Sequence, residues 1–351
     1  MKFGKALPAL SILLLVNCAA QQVFPAARLR QAQAAHYRAY DARGRAVRLA
    51  EIAEALDRAD VLIVGELHND AVGHLVEAEL LRLADERARA AGGGGPRAVA
   101  LSLEMFERDV QHVLDEYLAG LISERHFLLS SRPWRNYQTD YRPLVEYAKG
   151  RGLAVIAANA PARYVSRVTA NGPQSLAALP PLARGWLPPL PYAPASDAYA
   201  AKFRSFMQTE EARSASPHAA PPAWAAPGAT APHAVPPANP HAAPPNPHGA
   251  GAGAAAGPIH LLAAQTLRDA AMAHAISEHL GKHRGSVVVH FNGAFHSEGR
   301  LGVPEHLKTY RPQARVIVVT ILSEGYPDFD PARHAASGDF VILTDPALPR
   351  S

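Results

Sequence analysis

The sequence predicts an α/β fold: one mainly parallel, doubly wound sheet of about six strands, with helices on both faces and a helical subdomain attached. Three observations carry this. From residue 60 onward, apolar runs of strand length alternate with longer amphipathic stretches, the rhythm of βα units. Those stretches set Leu, Val and Ala at three- and four-residue spacing among Glu, Asp and Arg, which is the helical period. The 351 residues are ample for a large core and show no repeat of solenoid length.

Each element follows from its own pattern. Val61-Leu62-Ile63-Val64 reads as a buried strand, and 72–91 as a long helix stopped by the glycine run 92–95. Residues 98–106 form the next strand, 107–128 and 141–149 are helical, and Gly150-Arg151-Gly152 leads into a strand at 153–158. A helix at 160–169 is followed by an irregular Pro- and Leu-rich connection over 172–194. Helix signature returns over 196–213, with Ser196 as N-cap and Tyr199, Phe203 and Phe206 at i, i+4 and i+7. Residues 260–282 are helical, and strands are expected at 286–289, 315–322 and 340–343. Between them, 214–258 contain no Asp, Glu, Lys or Arg and consist chiefly of Ala, Pro, Gly and His. Such a stretch cannot bury a continuous face and is expected to be a disordered insertion. The domain expectation is therefore a signal at 1–18 and one α/β domain in two parts, 36–213 and 259–345, divided by the insertion at 214–258.

Composition narrows the function. Hydrophobic residues make up 48% and charged residues 19%, which excludes wholesale disorder. Lys and Arg exceed Asp and Glu by only 35 to 31, without a basic block, so nucleic acid is not an expected partner. The single cysteine, Cys18, rules out an internal disulfide or a CxxC site. It follows Lys2, Lys5 and an apolar run over 6–16, too short to span a bilayer but suited to a secretory signal. Leu15-Val16-Asn17-Cys18 resembles a bacterial lipoprotein box, with Asn17 where a small residue is usual. Ala19 carries no acidic retention signal, so the expected location is the outer membrane, facing the periplasm.

Two motifs stand directly after strands: Gly65-Glu66-Leu67-His68, and Gly293-Ala294-Phe295-His296 preceded by His290 and Asn292. Glu104 lies near the end of the strand between them. The carboxyl ends of parallel strands share one edge, so Glu66, His68, Glu104 and His296 are expected to meet there. Such a set suits a divalent metal site or a general acid/base pair; the bland reading is that these groups cap strand ends and bond to loop backbone. No G-x-S-x-G or H-E-x-x-H occurs, which leaves a serine hydrolase elbow and a zincin unsupported.

Taken together, residues 61–68, Ser102-Leu103-Glu104-Met105-Phe106, Trp134, Tyr137 and Tyr141-Arg142-Pro143-Leu144-Val145 resemble the ChaN-like haem-binding uptake proteins. The likeness continues through Ala157-Ala158-Asn159-Ala160-Pro161, Tyr199, Ala264-Gln265, Gly293-Ala294-Phe295-His296 and Leu301-Gly302-Val303-Pro304. These proteins are relatives of the Tiki metalloproteases and erythromycin esterases. The resemblance implies a haem-binding lipoprotein serving haem or iron acquisition or storage, more a carrier than an enzyme. It also implies tyrosine ligation of ferric haem, an outer-membrane haem receptor as partner, and a homodimer pairing two haems.

Tyr199 is the first candidate ligand, since the positive end of its helix favours a phenolate and Phe203 lies on the same face. On periodicity alone, Tyr199, Phe203 and Phe206 equally make a core stripe. Tyr164 is the second candidate, with Arg163 and Arg167 available for propionates. The insertion departs from the family pattern; its His218, His233, His241 and His248 lack the spacing of a folded zinc site. The other reading is a divalent-metal-dependent hydrolase built on Glu66, His68, Glu104 and His296, as the Tiki relatives suggest.

Overall fold

The computed structural model describes residues 36–90, 95–214, 260–348 and 350–351, without the side chains of 210–214. The signal and Cys18, most of the glycine run after the first long helix, and the insertion with its four histidines lie outside the described residues.

The described chain builds one eight-stranded sheet. Its strands are β1 (Tyr37–Asp41), β2 (Ala46–Val47), β3 (Val61–Glu66), β4 (Val99–Glu107), β5 (Ala154–Asn159), β6 (Val287–Gly293), β7 (Val316–Leu322) and β8 (Phe340–Thr344). The order across the sheet is β2-β1-β8-β7-β3-β6-β4-β5. The six strands from β8 to β5 are all parallel, matching the six that the apolar runs predict. The short hairpin of β1 and β2 adds antiparallel to β8 and has no apolar run to announce it.

The helices are α1 (Leu49–Glu54), α2 (Ala71–Ala90), α3 (Gln111–Leu118), α4 (Glu124–Ser131), α5 (Arg142–Arg151) and α6 (Ala162–Asn171). They continue with α7 (Pro181–Arg184), α8 (Asp197–Ser214), α9 (Leu261–Lys282), α10 (Val303–Tyr310) and α11 (Pro331–His334). The helical patterns expected over 107–128 are α3 and α4, separated at Gly120, whose φ is +74°. Among the described residues, no helix is long and apolar enough to cross a membrane.

Alternation along the strands divides the core between the two faces. Leu62, Val64, Leu101, Leu103, Val289 and Phe291 face one layer, packed against residues of α1 to α5. Val61, Ile63, Ala100, Ile156 and Val288 face the other, against Met272, Ile276 and Leu280 of α9 and Val303 and Leu307 of α10. A third cluster, around Val165, Val168, Leu176, Leu187 and Leu267, is the helical subdomain at the start of α9.

The chain runs outward from β3 to β4 and β5, returns to the centre as β6, then continues on the other side as β7 and β8. This reversal makes a topological switch point beside β3, where the carboxyl ends of neighbouring strands open a crevice. Glu66 ends β3 and Gly293 ends β6, and the two are register partners. Glu104 follows the last β4–β6 pair, Leu103 with Phe291, in a register irregularity between Leu103 and Glu107. An irregularity of this kind re-aims a side chain beside a site.

Candidate functional site

The crevice holds two groups of charged side chains on either side of Gly293. On one side, Glu104 Oε2 accepts from the Gly293 amide at 2.7 Å, and Glu104 Oε1 lies 3.3 Å from His296 Nε2. His296 Nδ1 lies 2.6 Å from Asp269 Oδ1, on α9, and Gln265 Nε2 is 3.1 Å from His296 Nε2. Burial works to make His296 neutral, but the Glu104 and Asp269 carboxylates prevail and push its pKa up to about 10. Glu104, also opposed by burial, is held well below the usual carboxylate range by His296. This group is therefore a histidine clamped between two carboxylates, which favour its protonated form.

On the other side, His68 Nδ1 lies 2.7 Å from Glu66 Oε1, which also accepts from the Tyr141 hydroxyl. His68 is the group of this cluster open to water, with 43% of its side chain exposed. Its ring stands edge-on to Trp134 at 4.6 Å, and Trp134 edge-on to Tyr141 at 5.4 Å. Beneath them, His74 Nδ1 lies 3.0 Å from Glu77 Oε2 and 3.7 Å from Glu66 Oε2. His74 Nε2 lies 3.2 Å from the His68 carbonyl oxygen and 3.5 Å from Asp140 Oδ2. Against burial, Glu77, Glu66 and Asp140 push His74 up to about 10. Burial and the Glu66 charge hold Glu77 well above the usual carboxyl range.

Local sequence explains this placement. Asp70 caps α2 by accepting from the Val72 and Gly73 amides, both at 3.1 Å. One turn in, His74 and Glu77 lie three residues apart and point at the end of β3. A π-helical turn over Tyr137–Tyr141 brings Asp140 and Tyr141 inward; such turns recur at functional sites. Two glycines permit the approach. A Cβ on Gly65 would fall 2.8 Å from Ala294 Cα, and one on Gly293 would fall 2.7 Å from His68 Nε2 and 3.7 Å from Glu104 Oε2.

The four residues expected at this edge are thus all there, as two pairs: Glu66 with His68, and Glu104 with His296. His74, Glu77, Asp140 and Asp269 complete the site and were not singled out by sequence. The spacing of His74 and Glu77 on the helix after the Gly65-Glu66-Leu67-His68 motif was the available signal. His290, just inside β6, bonds Ser102 Oγ at 2.9 Å, and burial lowers its pKa to about 4, so it stays neutral.

The tyrosine candidates lie on the helical layer. Ser196 Oγ accepts from the Tyr199 amide at 3.1 Å, as expected of the cap. Tyr199, Phe203 and Phe206 surround Phe295 at 5.4, 6.2 and 5.2 Å, and Lys202 Nζ donates to the Phe295 and Glu298 carbonyls. The Tyr199 ring is 1% exposed, and its hydroxyl has no hydrogen-bond partner. Burial and the charges of Asp269 and Glu104 raise its pKa far above that of free tyrosine, so here the carboxylates outweigh the helix dipole and the phenol keeps its proton. Tyr164 is partly buried in the subdomain. Arg163 bonds Asp109 at 2.5 Å and stacks on Tyr164 and Trp186, while Arg167 donates to the Ser175 carbonyl at 3.0 Å. Close by, a cleft of about 790 Å³ opens beside the start of α9, lined by Gln174, Arg184, Leu190, Tyr192, His260 and Ala263 among others.

Residues 52–307 match the family described as haem-binding uptake, Tiki superfamily, ChaN. The chain belongs to this family. Its fold is similar to that of a Campylobacter jejuni ChaN whose structure is described as showing cofacial haem binding. That likeness has a TM-score of 0.56 at 13% identity and covers 89% of this chain and 98% of that one. The type III effector HopBA1 aligns with a TM-score of 0.41 at 9% identity, covering 85% of this chain and 93% of that one. No curated protein matches the sequence.

Proposed function

We propose that this family member is an exported, lipid-anchored haem-binding protein that takes up, stores or passes on haem at the bacterial cell envelope, with a tyrosine on the haem iron. The observation that carries the reading is the family match over residues 52–307. The chain has features that fit the ligand. The cleft of about 790 Å³ beside α9 is of the size that holds a small-molecule cofactor. Its Leu and Pro walls suit a porphyrin face, and the Arg184 guanidinium on its lining suits a carboxylate arm. When bound, the iron supplies a Lewis-acid centre that an anionic phenolate ligates well.

Tyr199 remains the proposed ligand, its buried hydroxyl lying against Asp269 without a well-formed hydrogen bond. Reaching iron requires α8 to turn Tyr199 away from Phe295 and Asp269. Tyr192, on the cleft wall, already donates its hydroxyl to the Ala263 carbonyl at 2.8 Å and serves as the comparison residue. Lipidation at Cys18 would hold the protein at the periplasmic face of the outer membrane. A homodimer there would pair two haems, in keeping with the cofacial haem binding described for the Campylobacter jejuni ChaN. An outer-membrane haem receptor would be its partner.

The test is a haemin titration of the purified protein followed by visible spectroscopy. Saturable binding with a tyrosinate charge-transfer band is expected, lost in Tyr199→Phe and kept in Tyr192→Phe. Absence of saturable binding would overturn the haem reading; a band unchanged in Tyr199→Phe would remove that residue.

A second reading is favoured by the pairing across Gly293. His68, open to solvent on a buried carboxylate, and the clamped His296 form an acid/base arrangement suited to hydrolysis. Turnover of ester or peptide substrates, abolished in His68→Ala, is its signature.

A further inference from the structure

The part of the site below His68 does more than the haem reading requires. Glu66, His74 and Glu77 each offer a ligand atom, and these atoms lie within 4.8 Å of one another. All three residues are buried: Glu66 is 3% exposed, His74 4% and Glu77 0%. Two of their carboxylate oxygens, Glu66 Oε2 and Glu77 Oε1, have no hydrogen-bond partner. Buried carboxylate oxygens are costly to leave unpaired, and here Glu66 Oε2 faces the His74 ring at 3.7 Å.

We infer that Glu66, His74 and Glu77 form a closed site for one divalent first-row transition metal ion. The orientation of His74 is that of a metal ligand. Its Nε2 contacts the His68 carbonyl oxygen, which can only accept, so Nε2 carries a proton and Nδ1 is the nitrogen turned toward the two carboxylates. A ligating imidazole held through its other nitrogen by a backbone carbonyl is the usual outer support of a metal site. Asn136 fixes that same carbonyl by donating to it at 2.8 Å, and it donates to Asp140 at 2.7 Å.

Charge and donor type agree. Two carboxylates and one neutral imidazole balance a divalent ion, and one nitrogen with carboxylate oxygens suits Mn²⁺, Fe²⁺ or Zn²⁺. Entry of the ion displaces to solvent any proton on His74 Nδ1 and any proton shared by Glu66 and Glu77, because a ligating imidazole is neutral and both carboxyl groups bind as carboxylates. Glu66 would then link the ion to the opening. Its Oε2 faces the ion, while its Oε1 holds His68 and the Tyr141 hydroxyl. The ion therefore sits outside the four-residue set expected at the sheet edge, sharing only Glu66 with it.

The test uses the whole purified chain, stripped with chelator, dialysed against Mn²⁺ and read by metal analysis and by electron spin-echo spectroscopy. One Mn²⁺ per chain is expected, with a single imidazole nitrogen in its coordination sphere. Glu77→Gln and His74→Asn should each weaken retention at least tenfold, whereas His296→Asn should retain the ion. No stoichiometric Mn²⁺ in the wild type would overturn the proposal. So would retention in Glu77→Gln together with loss in His296→Asn, which would put the ion at the upper pairs. Should the first two variants fail to fold by circular dichroism, the wild-type signal decides alone: one imidazole supports the site, and two, from His68 and His296, overturn it.

Discussion

The two ends of the same parallel strands treat charge in opposite ways. At the amino end, Asp60 precedes β3 and accepts from the Arg315 backbone and guanidinium, both at 3.0 Å, with Arg97 at 3.5 Å. Arg97 itself donates to the carbonyls of Leu56, Ala59 and Gly285, each at 2.9 Å. These are arginine–carboxylate contacts near solvent, and they tie strand ends and loops together. In the crevice at the carboxyl end the cations facing Glu66, Glu77, Glu104 and Asp269 are histidines, the carboxylates are buried, and Glu66 Oε2, Glu77 Oε1 and Asp269 Oδ2 lack hydrogen-bond donors; the arginine pairs of Glu107, Asp109 and Asp70 lie around its rim. A fold that needed only closure would repeat the amino-end solution. The carboxyl end instead gathers buried carboxylates, each with one oxygen left unbonded, beside a half-exposed histidine, and such perturbed groups in a crevice are what the site proposed above rests on.

The largest effect that sharpens this contrast comes from His296→Ala. Removing the imidazolium leaves Glu104 and Asp269 buried and facing each other, so a loss of about 3–5 kcal/mol is expected in urea unfolding. A loss below about 1 kcal/mol would mean that the carboxyl end is no costlier to break than a surface ion pair.

The pH dependence follows with its sign fixed by the shift. His296 is pushed up to about 10 in the folded protein, above its ordinary value near 6.5. The folded state therefore binds more protons between those values, and its contribution to stability is full below pH 6.5 and lost as pH rises through 10. Thermal melts of the wild type should fall across that window. His296→Gln should flatten the fall, with a residual slope from His74 in chelator-stripped protein, where it is also pushed up to about 10. Equal slopes in the two proteins would show that His296 is not charged in the fold.

How much of this was legible in the sequence depends on periodicity. The six parallel strands were readable because each is buried on both faces and so is a continuous apolar run, as in Val287-Val288-Val289. The β1–β2 hairpin was not, because Tyr-Arg-Ala-Tyr-Asp is half polar and pairs only at an edge. Glu66, His68, Glu104 and His296 were legible because they stand at strand ends, where topology forces convergence. His74, Glu77 and Asp269 sit inside helices whose pattern reads as ordinary amphipathic surface; the spacing of His74 and Glu77 places them on one face, and the tertiary structure turns that face inward. The depth of Tyr199 was equally hidden: its spacing with Phe203 and Phe206 is the same whether the stripe meets a ligand or, as here, Phe295.

Gly293→Ala probes the carboxyl end without removing a charge. The new methyl would fall 2.7 Å from His68 Nε2, the far end of a half-exposed ring that can swing outward. Overpacking of this kind costs about 1–3 kcal/mol in a closed core, and the lower end is expected here. The His68 imidazole resonances in NMR should move while those of His296 stay. Movement of both would show that the two pairs across Gly293 are one unit.

The smallest effect belongs to the amino end. Arg315 is 59% exposed, so its pairing with Asp60 is solvent-screened despite good geometry. Arg315→Ala should cost no more than about 1 kcal/mol, and the difference from wild type should shrink as salt is raised. The backbone amide of residue 315 still donates to Asp60 in that variant, which limits the loss further. A loss above about 3 kcal/mol, insensitive to salt, would erase the distinction between the two ends: both would then be held by buried charge, and the orphaned carboxylates at the carboxyl end would no longer mark it as the working edge.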